Sequence, residues 1–167
     1  MIFVTVGTHE QPFNRLVEYI DNLKREKKID DDVFIQTGYS TYEPKHCKWS
    51  RLIPYDEIEK NVMEARIVIT HGGPASFILP LQMGKIPIVV PRQQAFNEHV
   101  NNHQLEFTNT IVERMGTIIA VVDIEKLGEI IENYNSIVTD IKYRINSNNE
   151  KFCNEFEEIV NNILVEK

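Results

Sequence analysis

The stretch from Arg66 to Gly84 decides the fold. Arg66-Ile67-Val68-Ile69-Thr70 is a short apolar run, His71-Gly72-Gly73 a turn, and Pro74 to Met83 a helix-length segment stopped by Gly84. A run of β-branched residues bounded by glycines reads as a buried strand, and proline at the head of the next segment suits the first turn of a helix. Glycine just past the helix is a C-terminal stop. Outward from this unit the rhythm continues. Ile86 to Val90 is the next strand, ended by Pro91, Glu98 to Glu113 a helix, Thr117 to Val122 a strand and Ile124 to Asn133 a helix. Upstream, Ile2 to Val6 is a strand stopped by Gly7, and Phe13, Leu16, Val17, Ile20 and Leu23 give the following helix one apolar face, with Pro12 in its first turn. Val33 to Gln36 is a strand, Tyr39 to Trp49 an irregular crossing, Arg51 to Pro54 a third strand and Asp56 to Glu64 a short helix. Strands alternating with helices require a parallel sheet covered on both faces. The expectation is one α/β domain over residues 1–167, with 140–167 as a C-terminal amphipathic helix carrying Ile141, Ile145, Phe152, Phe156, Ile159 and Ile163.

Composition narrows the function. The 167 residues suffice for one substantial core. Eighteen basic against 25 acidic residues give a net charge of −7, which argues against a nucleic-acid binder. Ten acidic and five basic residues fall between Asp123 and Lys167, so an anionic ligand must be held by local groups in the first 120 residues. Cys47 and Cys153 form no metal or CxxC pattern and read as unpaired thiols of an intracellular protein. The opening Met1-Ile2-Phe3-Val4-Thr5-Val6-Gly7 has no basic flank and its apolar run is short, so neither a signal peptide nor a membrane span is expected.

Three loops fall at the carboxyl edge of the expected sheet. Gly7-Thr8-His9-Glu10 leaves the first strand, where Gly7 allows close backbone approach and Thr8 adds a hydroxyl; a plain tight turn is the alternative. His71-Gly72-Gly73-Pro74-Ala75-Ser76 carries a stronger signal. Pro74 lacks an N–H, which leaves the donors of Gly73, Ala75 and Ser76 for a diphosphate, with the Ser76 hydroxyl beside them. His71 is either part of this site or a buried histidine bonded to backbone. In the third loop Arg92 suits phosphate, and Glu98 and His99, at the start of a helix, suit sugar hydroxyls. The i,i+4 spacing puts Glu98 with Asn102, and His99 with His103, on common faces, but no third zinc ligand is evident and no metal is expected. Asn101, Asn102 and Gln104 read as a solvated helix face. The dinucleotide and P-loop fingerprints are both missing.

Taken together, Val4 to Leu16, Ile69 to Ser76, Gly84 to Arg92 and Glu98 to Gln104 resemble the small bacterial glycosyltransferase subunits of capsular and exopolysaccharide synthesis. These are similar to the C-terminal, donor-binding half of GT-B enzymes, and are related to the cytosolic subunit of the two-part dolichol-linked N-acetylglucosaminyltransferase and to the peptidoglycan enzyme that forms lipid II. The resemblance covers most of residues 1–122. It implies a single Rossmann-like domain, half of a GT-B fold, that binds a UDP-sugar as substrate, with no cofactor. Gly7 and Thr8 then lie near the phosphates, His71, Gly72, Gly73 and Ser76 hold the diphosphate, Arg51 to Tyr55 meet the uracil, and Glu98 and His99 read the sugar. His9 and Glu10 are the candidates for a supporting catalytic role. Leu79 stands where the peptidoglycan enzyme has a ribose-holding glutamate, so ribose recognition must differ. Because one half only is present, the resemblance implies a membrane-associated partner carrying a lipid-linked acceptor, a cytoplasmic and peripheral location, inversion at the anomeric carbon, and galactose as the favoured sugar. An isolated chain with an uncovered apolar face is expected to self-associate. The competing expectation is a non-catalytic accessory subunit that stabilises or recruits a catalytic partner.

Overall fold

The computed structural model of the protein describes residues 1–144. Six strands, β1 (Ile2–Thr5), β2 (Val33–Gln36), β3 (Lys48–Ser50), β4 (Ile67–His71), β5 (Ile88–Val90) and β6 (Ile119–Ala120), form one sheet in the order β3-β2-β1-β4-β5-β6. Every pairing is parallel, with Thr5 opposite both Gln36 and Thr70, and His71 opposite Val90. The helices are α1 (Asn14–Arg25), α2 (Tyr55–Glu64), α3 (Pro74–Gln82), α4 (His103–Arg114), α5 (Leu127–Glu132) and α6 (Tyr134–Arg144). This is the doubly wound order, and the expected α/β class holds.

The central strands are buried on both faces, as a parallel sheet between two helical layers demands. Alternate side chains serve different layers. Ile2 and Val4 pack with Leu16, Val17 and Ile20 of α1, whereas Phe3 and Val68 pack with Val62 of α2 and Leu79 of α3. A third group, Phe77, Val89 and Ile118, seats Phe107 and Ile111 of α4. Among the described residues no helix is long and apolar enough to cross a membrane.

Several boundaries differ from expectation. The third strand is Lys48–Ser50 rather than Arg51 to Pro54; as an edge strand with two of its three residues exposed, it carries no apolar alternation to reveal it. The first helix begins at Asn14, so Pro12 precedes it instead of occupying its first turn. The largest shift lies after β5, where α4 begins at His103. The segment before it holds a short 3-10 turn at Gln94–Phe96 that ends on Asn97 in the left-handed region, φ 55°. Glu98 and His99 therefore stand in an irregular loop, and neither i,i+4 pair shares a helical face. The start of the expected 140–167 tail helix falls in the last part of α6 (Tyr134–Arg144), which begins earlier than expected, and the part beyond residue 144, with Ile145, Phe152, Phe156, Ile159 and Ile163, lies outside the described residues.

Candidate functional site

In this strand order the chain turns one way from β1 and the other way from β4, which opens a crevice outside the carboxyl ends of that pair. A cavity of about 640 Å³ occupies it. Its floor is Thr5, Gly7, Thr8, His71, Gly73 and Ser76, and its apolar wall is Ile53, Ile58, Val62 and Leu79. The two glycine turns singled out from the sequence thus meet at one place. A cavity of equal volume lies where α1 ends and β2 and β4 begin, between Lys28, Arg66 and Glu132, and none of the expected site residues lines it.

The His71 imidazole is the centre of the floor. A β-carbon on Gly7 would strike its Nε2 and Cδ2, and one on Gly73 would strike its Cε1 and Nδ1. The ring is clasped between two positions that only glycine can fill, and Gly7 also takes a φ of +75°. The Gly73 N–H donates to Nδ1 at 3.0 Å. Since Nδ1 accepts, the ring proton sits on Nε2, which donates to Ser76 Oγ at 2.7 Å. The Ser76 hydroxyl hydrogen is then free to point into the cavity. Burial, the neighbouring Arg92 cation and the His9 and His99 rings push the His71 pKa down to about 4 despite the opposing influence of Gln104. His71 is therefore a neutral spacer at pH 7 and not a cation.

The adjacent turn is fixed from α4. Gln104 Oε1 accepts from Gly72 N at 3.1 Å and from Arg92 N at 3.2 Å. With its oxygen so occupied, the buried Gln104 side chain also lines the cavity. A β-carbon on Gly72 would approach Gln104 Cβ to 2.9 Å and Thr108 Oγ1 to 3.0 Å, so that glycine is required by the packing of α4. The Ser76 N–H is closed on Gly73 O at 3.0 Å, and the Gly72 and Gly73 donors are also taken. Of the expected amide cluster, only Ala75 remains in the first turn of α3 without an intrahelical acceptor.

Two expected residues are placed differently. Arg92 does not face the cavity: it is 0% exposed and its guanidinium bonds backbone carbonyls. Nη1 donates to Gln11 O, Glu98 O and Pro12 O at 2.7, 3.1 and 3.5 Å, and Nη2 donates to Val6 O at 2.9 Å. The Glu98 carboxylate, 3% exposed, accepts both Arg15 Nε and Nη2 at 2.8 Å and the Gln93 N–H at 3.0 Å. Its two oxygens are engaged by Arg15 in a fork, and Glu98 does not line the cavity. Sequence reading had no reason to single out Arg15, which lies 83 residues from Glu98.

His9 and His99 do meet, stacked at 4.8 Å between ring centroids, so the first and third loops touch at the cavity mouth. His9 Nε2 is 2.9 Å from Gln11 Oε1, whose amide donates to Asn97 O at 3.4 Å. Thr8 and Glu10 are exposed. Ile53 and Tyr55 of the expected base-binding stretch line the wall, and Arg51 stacks on Tyr39 at 5.3 Å while its carbonyl receives Gly38 N–H at 2.8 Å. Gln36 and Gln104 were missed. Gln104 had a signal, because with Thr108 and Ile111 it forms an i,i+4,i+7 row whose last member is apolar.

The chain matches the glycosyltransferase family 28 C-terminal domain over residues 1–163. It is 29% identical over 119 residues to the UDP-N-acetylglucosamine transferase subunit ALG13 of Homo sapiens; the match covers 66% of this chain and 10% of that protein, so the chain spans about a tenth of its relative's length. Among solved structures it resembles the glycotransferase of kitacinnamycin, with a TM-score of 0.58 and 15% identity over 84% of this chain and 37% of that one. It also resembles the glycosyltransferase SnogD from Streptomyces nogalater, with a TM-score of 0.50 and 16% identity over 72% of this chain and 30% of that one. At such identities the two structures bear on the fold alone.

Proposed function

Because the chain belongs to the glycosyltransferase family 28 C-terminal domain family, we propose that it is the donor-binding subunit of a two-part glycosyltransferase and holds a UDP-sugar in the cavity between β1 and β4. The observation that carries this reading is the clasped, neutral His71, which spaces two glycine turns around a floor of free donors at a topological switch point. The diphosphate lies over Gly7, Thr8 and the first turn of α3, receiving the Ala75 N–H and the Ser76 hydroxyl. Gly72 and Gly73 shape that surface, and their own N–H groups serve the protein. The uracil lies toward Ile53 and Tyr55. Leu79 makes the adjoining wall apolar, so the ribose is met by backbone rather than by a carboxylate. Gln104 and His99 face the sugar.

Transfer breaks the bond from the anomeric carbon to the diphosphate oxygen and forms one to an acceptor oxygen, with inversion. The positive end of α3 and its free donors stabilise the charge that grows on the departing UDP, so no metal is required in this reading. His9 and Glu10, at the mouth, support the approach of the acceptor. The acceptor half is a separate membrane-associated subunit presenting a lipid-linked glycan, and this chain sits at the cytoplasmic face through it. The printed name of the human relative, a transferase subunit, supports a divided enzyme. Galactose as the sugar and capsular or exopolysaccharide as the product are the finer parts of the proposal, supported by the sequence resemblance.

The test is a thermal-shift and calorimetric titration with UDP, UDP-galactose, UDP-glucose, UDP-N-acetylglucosamine, ADP and NAD, with and without Mg²⁺. Ligand at about 100 times its Kd adds roughly 2.7 kcal/mol and raises Tm by about 5–10 °C in a domain of this size. A response confined to uridine ligands supports the reading, and one that needs Mg²⁺ overturns its metal-free part. Silence from the chain both alone and co-purified with an acceptor subunit leaves the accessory role in its place.

A further inference from the structure

The charges behind the cavity do not balance. Arg15 and Glu98 neutralise each other in a bidentate pair that also takes the Gln93 N–H. That leaves Arg92, fully buried, with no carboxylate of its own among the described residues. Its four partners are neutral carbonyls, its face is stacked on Phe13 at 4.7 Å, and its Nε has no partner among the described residues. Burial lowers its pKa to about 10, against the opposing influence of Glu98, so it stays charged at neutral pH. An isolated buried cation is costly to keep unless something compensates it.

Its contacts show where compensation belongs. The carbonyls of Val6, Gln11 and Pro12 bracket the segment Gly7 to Glu10, and the backbone N–H of Arg92 meets the same Gln104 oxygen that holds Gly72. One side chain thus ties the loop after β1 to the loop after β5, directly behind the cavity floor.

We propose that Arg92 is a positioning residue that also acts as a buried counter-charge. It fixes the Gly7–Glu10 loop, and its positive field, screened little by water, is answered by an anionic ligand bound on the far side of that loop. This rests on the donor-site reading above, in which that anion is the diphosphate of a nucleoside diphosphate. Arg92 makes no contact with it. The peptides of this loop whose carbonyls it holds keep no N–H for the ligand, because Gly7 N–H meets Thr5 Oγ1 at 3.3 Å, Pro12 has none and Phe13 N–H meets Ser40 Oγ at 3.2 Å, so the guanidinium acts through loop order and field alone.

The experiment compares wild type, Arg92→Lys and Arg92→Met as binders of UDP, uridine and inorganic pyrophosphate, by calorimetry, with circular dichroism to confirm folding. The diagnostic quantity is the affinity for UDP relative to uridine in the lysine variant against the methionine variant, because both lose the fork that orders the loop and only methionine loses the charge. Arg92→Met is expected to reduce UDP and pyrophosphate affinity by about tenfold or more while uridine changes by less than about threefold. Arg92→Lys keeps the charge and loses the fork, so its loss measures loop order alone and most of the UDP-over-uridine preference survives. If Arg92→Met does not fold, survival of the ratio in the lysine variant decides the matter. Equal losses for UDP and uridine in the methionine variant, or collapse of the ratio in the lysine variant, overturns the counter-charge. Wild type that binds neither UDP nor pyrophosphate, both alone and co-purified with the acceptor subunit, overturns the donor site itself, and this inference with it.

Discussion

Replacing Gly73 with alanine tests the clasp around His71 directly. Gly73 has φ −76° and ψ 131°, a conformation that alanine adopts freely, so the backbone itself offers no objection. The obstacle is steric: the new β-carbon would overlap Cε1 of His71 and stand 2.9 Å from Nδ1. The imidazole must leave its slot, breaking the Gly73 N–H···Nδ1 bond and displacing Nε2 from Ser76. Overpacking costs about 1–3 kcal/mol and the lost hydrogen bond about 1, offset by about 0.4–1 from the stiffer unfolded chain. The net is about 2 kcal/mol of destabilisation, a fall in Tm of about 4–8 °C. In a His71→Ala background the obstacle is gone, and the same substitution should be neutral or stabilise by about 0.5 kcal/mol. Chemical denaturation of the four proteins gives a coupling near 2 kcal/mol. Gly7→Ala is the contrasting cycle. Its φ of +75° keeps a cost of about 1–2 kcal/mol even without the imidazole. Equal costs for Gly73→Ala in both backgrounds would refute the clasp.

Asp21, wholly buried on α1, accepts His46 and Cys47 N–H on Oδ1 and Lys45 N–H and Tyr42 O–H on Oδ2, at 2.7–3.0 Å. Asp21→Asn turns an NH₂ onto two donors and should cost about 3 kcal/mol, read as a Tm loss of about 6–12 °C. Burial raises the Asp21 pKa, but those four bonds together hold it below the usual carboxylate value. Its contribution is therefore present above about pH 4 and lost as pH falls through the folded pKa, and the asparagine variant should lack that acid-side slope. For His71 the window is higher. With a folded pKa of about 4 against 6.5 unfolded, the unfolded chain binds the extra proton, and stability falls as pH drops from about 6.5 toward 4. His71→Gln should flatten Tm against pH across that interval, and an unchanged slope would mean the imidazole is not held neutral.

The legible parts of the fold were those where burial repeats in the chain. β1, β4 and α1 carry enough contiguous or periodic apolar residues to reveal them, and two glycines mark the turns that the site needs. β3 was misplaced because an edge strand buries little. The segment from Glu98 to Asn102 was mistaken for a helix start because its polar residues resemble a capping region, whereas Asn97 in the left-handed region and the inward turn of Glu98 delay the helix to His103. Asp21 left a readable trace that was not used: it falls four residues after Val17 on the apolar face of α1, where a charge implies a buried partner.

The site shows a sharper limit. Sequence reports that Arg92 and Glu98 are charged and lie on a loop at the right edge of the sheet, and such residues are natural choices for phosphate and sugar. Which of them meets a ligand depends on partners 80 to 86 residues away, Arg15 and the Val6 to Pro12 backbone, that no local pattern encodes. His71 raised the opposite difficulty. A functional histidine and a backbone-bonded one looked like alternatives, yet the backbone-bonded imidazole also lines the cavity. Because its ring is neutral, clasped by two glycines and bonded to Gly73 N–H, it cannot serve as a cation. For the same reason it holds the two turns apart at a fixed spacing and leaves the Ser76 hydroxyl free. In the proposed donor site, rigid neutral packing beneath the floor and a buried cation behind it take the place of the direct phosphate contact that the sequence suggested for Arg92.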